Sequence, residues 1–147
     1  MSDIKNKIVD YLNNHPHLQI ATVGPDGKPW IGTVGYVNEG AVVYFITDKT
    51  SRKARNILQN PQVAYTVDED YEVWSEIQGI QMEGKATLVE SPEEMQRLMG
   101  LFMQKYPQAA SLPPNPNFVF IKVEPQVGYF IDDTIEHGHR DKVDFSA

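Results

Sequence analysis

Between positions 41 and 57 the chain reads Ala41-Val42-Val43-Tyr44-Phe45-Ile46-Thr47-Asp48-Lys49-Thr50-Ser51-Arg52-Lys53-Ala54-Arg55-Asn56-Ile57. The first seven residues are mostly β-branched and aromatic, the composition of a buried strand. Asp48 to Ser51 break that run with polar residues, and Ser51 stands where a helix N-cap belongs. Ala54, Ile57 and Leu58 share one face at helical spacing, and Asn60-Pro61 stops the pattern. A helix is therefore predicted over Ser51 to Gln59. A strand that runs directly into a helix start gathers free backbone N–H groups, which favour an anion. Lys49, Arg52, Lys53 and Arg55 add positive charge at that point, in a chain of 13 Lys+Arg against 20 Asp+Glu and a formal net charge of -7. Arg52 can grip two phosphate oxygens at once, Lys53 supplies a second charge, and Thr47, Thr50 and Ser51 add hydroxyls. These residues point to a seat for a phosphate monoester. The competing reading is a solvated helix face with a serine cap.

Outward from this stretch the chain reads mostly as β. Leu18 to Val23 and Pro29 to Val37 flank Gly24-Pro25-Asp26-Gly27, a strong turn signal. Asn38-Glu39-Gly40 turns again before Ala41 to Thr47, so these three strands form an antiparallel meander. Gly32 and Gly35 interrupt the second strand. They mark either a flat ligand lying close to the backbone or a bulge. Val63 to Val67 is a strand, Asp68-Glu69-Asp70 an acidic turn, and Tyr71 to Val89 a long β region interrupted by bends or bulges at Gly79 and Gly84. Phe118 to Val123 and Val127 to Ile131 are β-like, separated by Pro125. Helices are predicted over Ser2 to Asn14 and from Ser91, with a capping-box signature in Ser91-Pro92-Glu93-Glu94, to Lys105. Six strands without regular helical alternation fit a closed antiparallel β-barrel with helices packed outside. One domain is expected over residues 1–132, followed by a polar tail over 133–147.

Composition narrows the functional classes. The acidic balance argues against nucleic acid as a partner. The chain has no Cys, so disulfides and thiolate metal sites are excluded. No apolar run approaches the roughly 20 residues of a membrane span, and Met1-Ser2-Asp3-Ile4-Lys5 lacks the apolar stretch of a signal peptide. A cytoplasmic protein without a membrane partner is expected. The histidines fall in two His-x-His pairs, His15-Pro16-His17 and His137-Gly138-His139. On a strand such spacing aims both rings to one side and suits a metal; a solvated tail is the other reading of the second pair. No metal site is assigned. Met95, Met99 and Met103 read as ordinary core or dimer packing.

The run Gly27-Lys28-Pro29-Trp30, then Thr47-Asp48-Lys49-Thr50-Ser51-Arg52-Lys53-Ala54-Arg55-Asn56-Ile57 with Asn60-Pro61, then Gln78-Gly79-Ile80-Gln81-Met82-Glu83-Gly84-Lys85-Ala86, resembles the pyridoxamine 5′-phosphate oxidase-like split-barrel family over nearly the whole chain. The resemblance implies a six-stranded antiparallel split barrel of the FMN-binding type and a homodimer with two FMN sites at the subunit junction. It places Arg52 and Lys53, helped by Ser51, on the FMN phosphate. Ile46 and Thr47 would touch the flavin or its ribityl chain. Gly32, Thr33 and Val34 would line the ring system largely through backbone, and Gln78 would offer a polar side chain. The oxidases proper carry Arg where this chain has Gly32 and Lys where it has Val37. They also end in an Arg-x-His element where this chain has His137-Gly138-His139-Arg140. The resemblance thus implies an FMN-dependent oxidoreductase acting on a small organic substrate other than pyridoxamine phosphate, with reduced nicotinamide as electron donor. The alternative is a flavin, haem or deazaflavin carrier or sensor without a substrate of its own.

Overall fold

The computed structural model describes residues 3–146. Met1, Ser2 and Ala147 lie outside the described residues, and with them the expected helix start at Ser2 and the last residue of the tail. The elements are α1 (Asp3–Asn13), β1 (His17–Val23), β2 (Pro29–Glu39), β3 (Val42–Asp48), α2 (Arg52–Gln59), β4 (Gln62–Val67), β5 (Gln78–Leu88), α3 (Pro92–Lys105), β6 (Phe118–Asp132) and β7 (Arg140–Asp144).

The sheet runs β3-β2-β1-β4-β5-β6-β7, every pairing is antiparallel, and a β3–β6 pairing from Val43↔Val123 to Asp48↔Phe118 closes the first six strands into a barrel. Closure removes the edges that an open sheet of this size would expose. Alternate residues of each strand fill the interior: Leu18, Ile20, Tyr36, Phe45 and Ile121 are at most 1% exposed. Ile8 and Leu12 of α1 complete this core, and the Tyr36 hydroxyl donates to the Leu12 carbonyl at 2.7 Å, tying the helix to β2. A second apolar cluster lies outside the barrel, where Leu98 and Phe102 of α3 cover Tyr44, Val37 and Phe120. Met99 and Met103 are on the exposed side of α3 rather than in that cluster.

Three features differ from the expectations above, each for a physical reason. Residues 71–77 form a loop with a short 3-10 turn (Trp74–Glu76), because β4 ends at Val67, opposite Ile80, and offers no partner beyond it. β6 runs unbroken through Pro125. The register shifts between Glu83 and Gly84 where that proline lies opposite, so its missing N–H falls at a bulge. A Cβ at Gly84 would stand 2.8 Å from the Glu124 carbonyl oxygen, which makes this one place where only glycine fits. Finally, the segment read as a polar tail carries β7, paired with β6 from Val127↔Asp144 to Ile131↔Arg140. Val143 of β7 turns inward and joins the barrel core at 8% exposure, and Phe145 just beyond the strand packs against the same core.

Val143→Asp is expected to destabilise the fold by at least about 2 kcal/mol in urea unfolding, since it buries an unpaired carboxylate, whereas Lys142→Gln on the exposed face should stay within about 0.5 kcal/mol. Equal, negligible effects of both would show that β7 does not belong to the folded core.

Candidate functional site

The end of β3 and the start of α2 converge on one point. Ser51 caps α2, its Oγ accepting from the Ala54 amide at 3.2 Å. The same Oγ lies 3.2 Å from Thr47 Oγ1, and the Lys53 ammonium donates to Thr47 Oγ1 at 3.2 Å. Either hydroxyl can donate in the Thr47–Ser51 contact; with Thr47 as donor the Ser51 hydroxyl proton is free to point outward. Arg52 turns the other way along the helix start. Its guanidinium carbon sits 4.2 Å above the centre of the Trp30 ring, a platform that holds the planar fork in place.

β2 passes directly beside this group. Gly32 pairs with Ile20, and the nearest neighbour of a Cβ at Gly32 would be Lys53 Cε at 3.7 Å, an ordinary contact distance. The chain's own packing therefore tolerates a side chain there. Glycine instead leaves an open strip of backbone next to the ammonium, the surface on which a flat ring can lie.

The cluster carries net positive charge. Among the described residues no carboxylate lies within ion-pair distance of Arg52, Lys53 or Arg55. Asp48 is engaged in its own turn: Oδ1 accepts from the Thr50 hydroxyl at 2.7 Å and the Thr50 amide at 2.8 Å, which hold its carboxyl below the usual carboxylate range. Burial pushes the Lys53 amine below the ordinary lysine range, the mark of a cation short of compensating negative charge. An anion with several acceptor oxygens would suit the fork of Arg52, the amine of Lys53 and the hydroxyl of Ser51. The cluster of Gly32, Thr47, Ser51, Arg52 and Lys53 contains no His, Asp or Glu side chain. Among the described residues no group of three or more His, Asp or Glu side chains is arranged to hold a metal ion.

The structure thus brings together Gly32, Thr47, Ser51, Arg52 and Lys53. Thr33 is exposed on the outer face of β2, while Val34 turns its side chain into the barrel core, so only its backbone is available to a ligand. Ile46 faces away from Thr47 and packs against the cluster beneath α3, which likewise leaves only its backbone near the site. Gln78 stands apart within one chain. It begins β5 just beyond the Val67↔Ile80 pair, level with the start of β1, whereas Trp30 pairs with Thr22 near the end of β1. That is roughly 20 Å along the strands at about 3.3 Å per residue. There its side chain donates to Asp132 at 3.2 Å and lines a different cavity of about 510 Å3 beside His15 and Tyr71. Sequence reasoning left Asn56 as a plain helix residue. It is in fact buried and donates to Thr22 at 3.1 Å, fixing α2 against β1; helical spacing sets it off the Ala54, Ile57 and Leu58 face expected to pack inward, and Leu58 is 61% exposed, so local sequence carried no signal for it.

Comparison with known proteins agrees with this architecture. The sequence family described as pyridoxamine 5′-phosphate oxidase matches residues 4–132, and the chain belongs to that family. General stress protein 26 of Bacillus subtilis (strain 168) is 28% identical over 124 residues, covering 84% of this chain and 85% of the relative. The crystal structure of General Stress Protein 26 from Bacillus anthracis str. Sterne superposes with a TM-score of 0.70 at 24% identity, covering 97% of this chain and 100% of that one. HutZ, described as the haem storage protein of Vibrio cholerae, superposes with a TM-score of 0.72 at 21% identity, covering 82% of this chain and 89% of that one. No helix among the described residues is long and apolar enough to cross a membrane.

The sign of the Lys53 shift sets a pH test. A lysine whose folded pKa is depressed binds fewer protons folded than unfolded, so ligand-free stability should rise with pH from the depressed value up to the ordinary lysine range near about 10.4. Lys53→Met should flatten that part of the rise in unfolding measured from neutral pH upward; an unchanged profile would mean that Lys53 is not desolvated.

Proposed function

We propose that the protein binds FMN and acts as a flavin-dependent oxidoreductase on a small organic substrate, as a cytoplasmic homodimer that takes electrons from a reduced nicotinamide. The observation that supports this reading is the group Thr47, Ser51, Arg52 and Lys53, positive and, among the described residues, without a carboxylate at ion-pair distance, against the open backbone of Gly32. Arg52 and Lys53 would hold the phosphate, Ser51 would donate to it, and the backbone of Gly32, Thr33 and Val34 would lie along the ring. Bound flavin carries the redox step itself, which is consistent with a site that offers few acid–base groups.

Self-association is supported by the outer face of β1, β2 and β4. Gln19, Ala21, Ile31, Ala64 and Thr66 line a shallow groove of about 190 Å3 without a single charge, and Ile31 is 67% exposed. A second copy on this face would also provide a route for Gln78 to a flavin it does not reach within its own chain.

A carrier of haem or a deazaflavin is the second reading. The haem description of HutZ favours it, as does His137, whose side chain is 78% exposed and whose ring lies 6.3 Å from that of Trp74, nearly parallel to it. Absorption spectra of the purified protein with each cofactor separate the readings, and reduced-nicotinamide oxidation separates enzyme from carrier.

Arg52→Ala and Lys53→Ala should each weaken FMN binding by about 1.5–3 kcal/mol, the scale of a charge-assisted hydrogen bond, in a fluorescence-quenching titration. Wild-type affinity in both variants would remove the phosphate assignment. Ile31→Glu should shift the sedimentation coefficient from dimer to monomer and lower FMN affinity with it; a dimer that survives the substitution places the junction elsewhere.

A further inference from the structure

Beyond the flavin seat, between the β1–β2 turn and α2, lies a separate cleft of about 590 Å3. Lys28, Arg52 and Arg55 line it, against one carboxylate, Asp26. Thr47, Ser51 and Lys53 are not part of its wall, so Arg52 stands between this cleft and the Thr47, Ser51 and Lys53 group. Lys28 and Arg55 have no part in the flavin seat and, among the described residues, no ion-pair partner.

The cleft is a shaped recess. Its floor is Asn56, buried at 4% exposure, whose amide donates to Thr22. Gly24 leaves the opening above that floor, since a Cβ there would stand 3.1 Å from Asn56 Oδ1. The turn that carries Lys28 is held by the Gly27 amide donating to the Gly24 carbonyl at 2.9 Å. Asp26 is partly engaged in that turn, its Oδ1 accepting from the Lys28 amide at 3.1 Å, which leaves the cations in excess.

Two features narrow the ligand. Arg52 and Arg55 are one helical turn apart, with Lys28 on the opposite wall, an arrangement that spans more than a single anionic group. The volume lies in the range of small-molecule sites, and a lone phosphate fills little of it; Pro25 and the amide of Gln59 offer the remainder to a sugar or base. We propose that this cleft is a second anion seat, for a nucleoside diphosphate moiety, sharing Arg52 with the flavin phosphate seat. It rests on the flavin reading only for the identity of its neighbour. The moiety comes either from the adenosine end of a dinucleotide electron donor or from FAD bound in place of FMN.

The test is calorimetric titration of ADP into the FMN-loaded protein. Arg55→Ala and Lys28→Ala should each weaken ADP binding about tenfold or more, the equivalent of one lost charged contact. FMN affinity should stay unchanged in both. Both substituted side chains are exposed, and unfolding midpoints equal to wild type confirm the fold. A donor source then shows as a raised KM for the reduced nicotinamide dinucleotide in Arg55→Ala, and an FAD source as a selective loss of FAD over FMN affinity. No ADP binding at millimolar concentration, or binding indifferent to both substitutions, overturns the proposal. ADP binding by a protein that takes no FMN upholds the cleft and removes the flavin reading; FMN binding without ADP binding does the reverse.

Discussion

The pairing of β3 with β6 governs the geometry of everything downstream of it. Six residue pairs, from Val43↔Val123 to Asp48↔Phe118, shut the barrel and hold the end of β3 in place. The Lys49 amide, one residue past the strand, donates to the Asn117 carbonyl at 2.8 Å, and the Ser51 amide donates to the Asp48 carbonyl at 3.0 Å. The chain is thereby forced to turn within three residues and start α2 where its first side chains meet β2. Loss of this closure would unpair two long strand edges and would also separate Lys53 from Gly32. Stability and the candidate site thus depend on the same hydrogen-bond ladder.

Charge placement is the second constraint. In a chain of net charge -7, Arg52, Lys53 and Arg55 at the start of α2 have no carboxylate within ion-pair distance among the described residues. Desolvation of Lys53 works against folding while the seat lacks an anion, and such a sacrifice of stability is common where a site is organised for a charged ligand. The stacking of Arg52 on Trp30 lowers the entropy that a long side chain would otherwise lose on binding.

Much of this was legible in local sequence because it is built locally. The Ser51 cap, the Arg52–Lys53 pair, the turn at Gly27 and the bulge at Gly84 all follow from residue chemistry within a few positions. What escaped the sequence depends on partners far along the chain. β7 has one apolar residue, Val143, among Arg140, Asp141, Lys142 and Asp144, so it carries no hydrophobic period; backbone pairing with β6 makes it a strand. Pro125 reads as a break until Gly84 is seen opposite. Gln78 and the inward or outward sense of Ile46 and Val34 depend on register, which a single strand does not encode.

The central claim is that Arg52 and Lys53 recognise the phosphate of the cofactor and not its ring. The most direct measurement compares riboflavin with FMN, which differ only in that phosphate, by titration against wild-type protein and the Arg52→Ala/Lys53→Ala double variant. The expected result is a preference of wild type for FMN of at least about 100-fold, or about 2.7 kcal/mol, collapsing to less than about tenfold in the variant. A wild-type protein that binds the two flavins alike would contradict it.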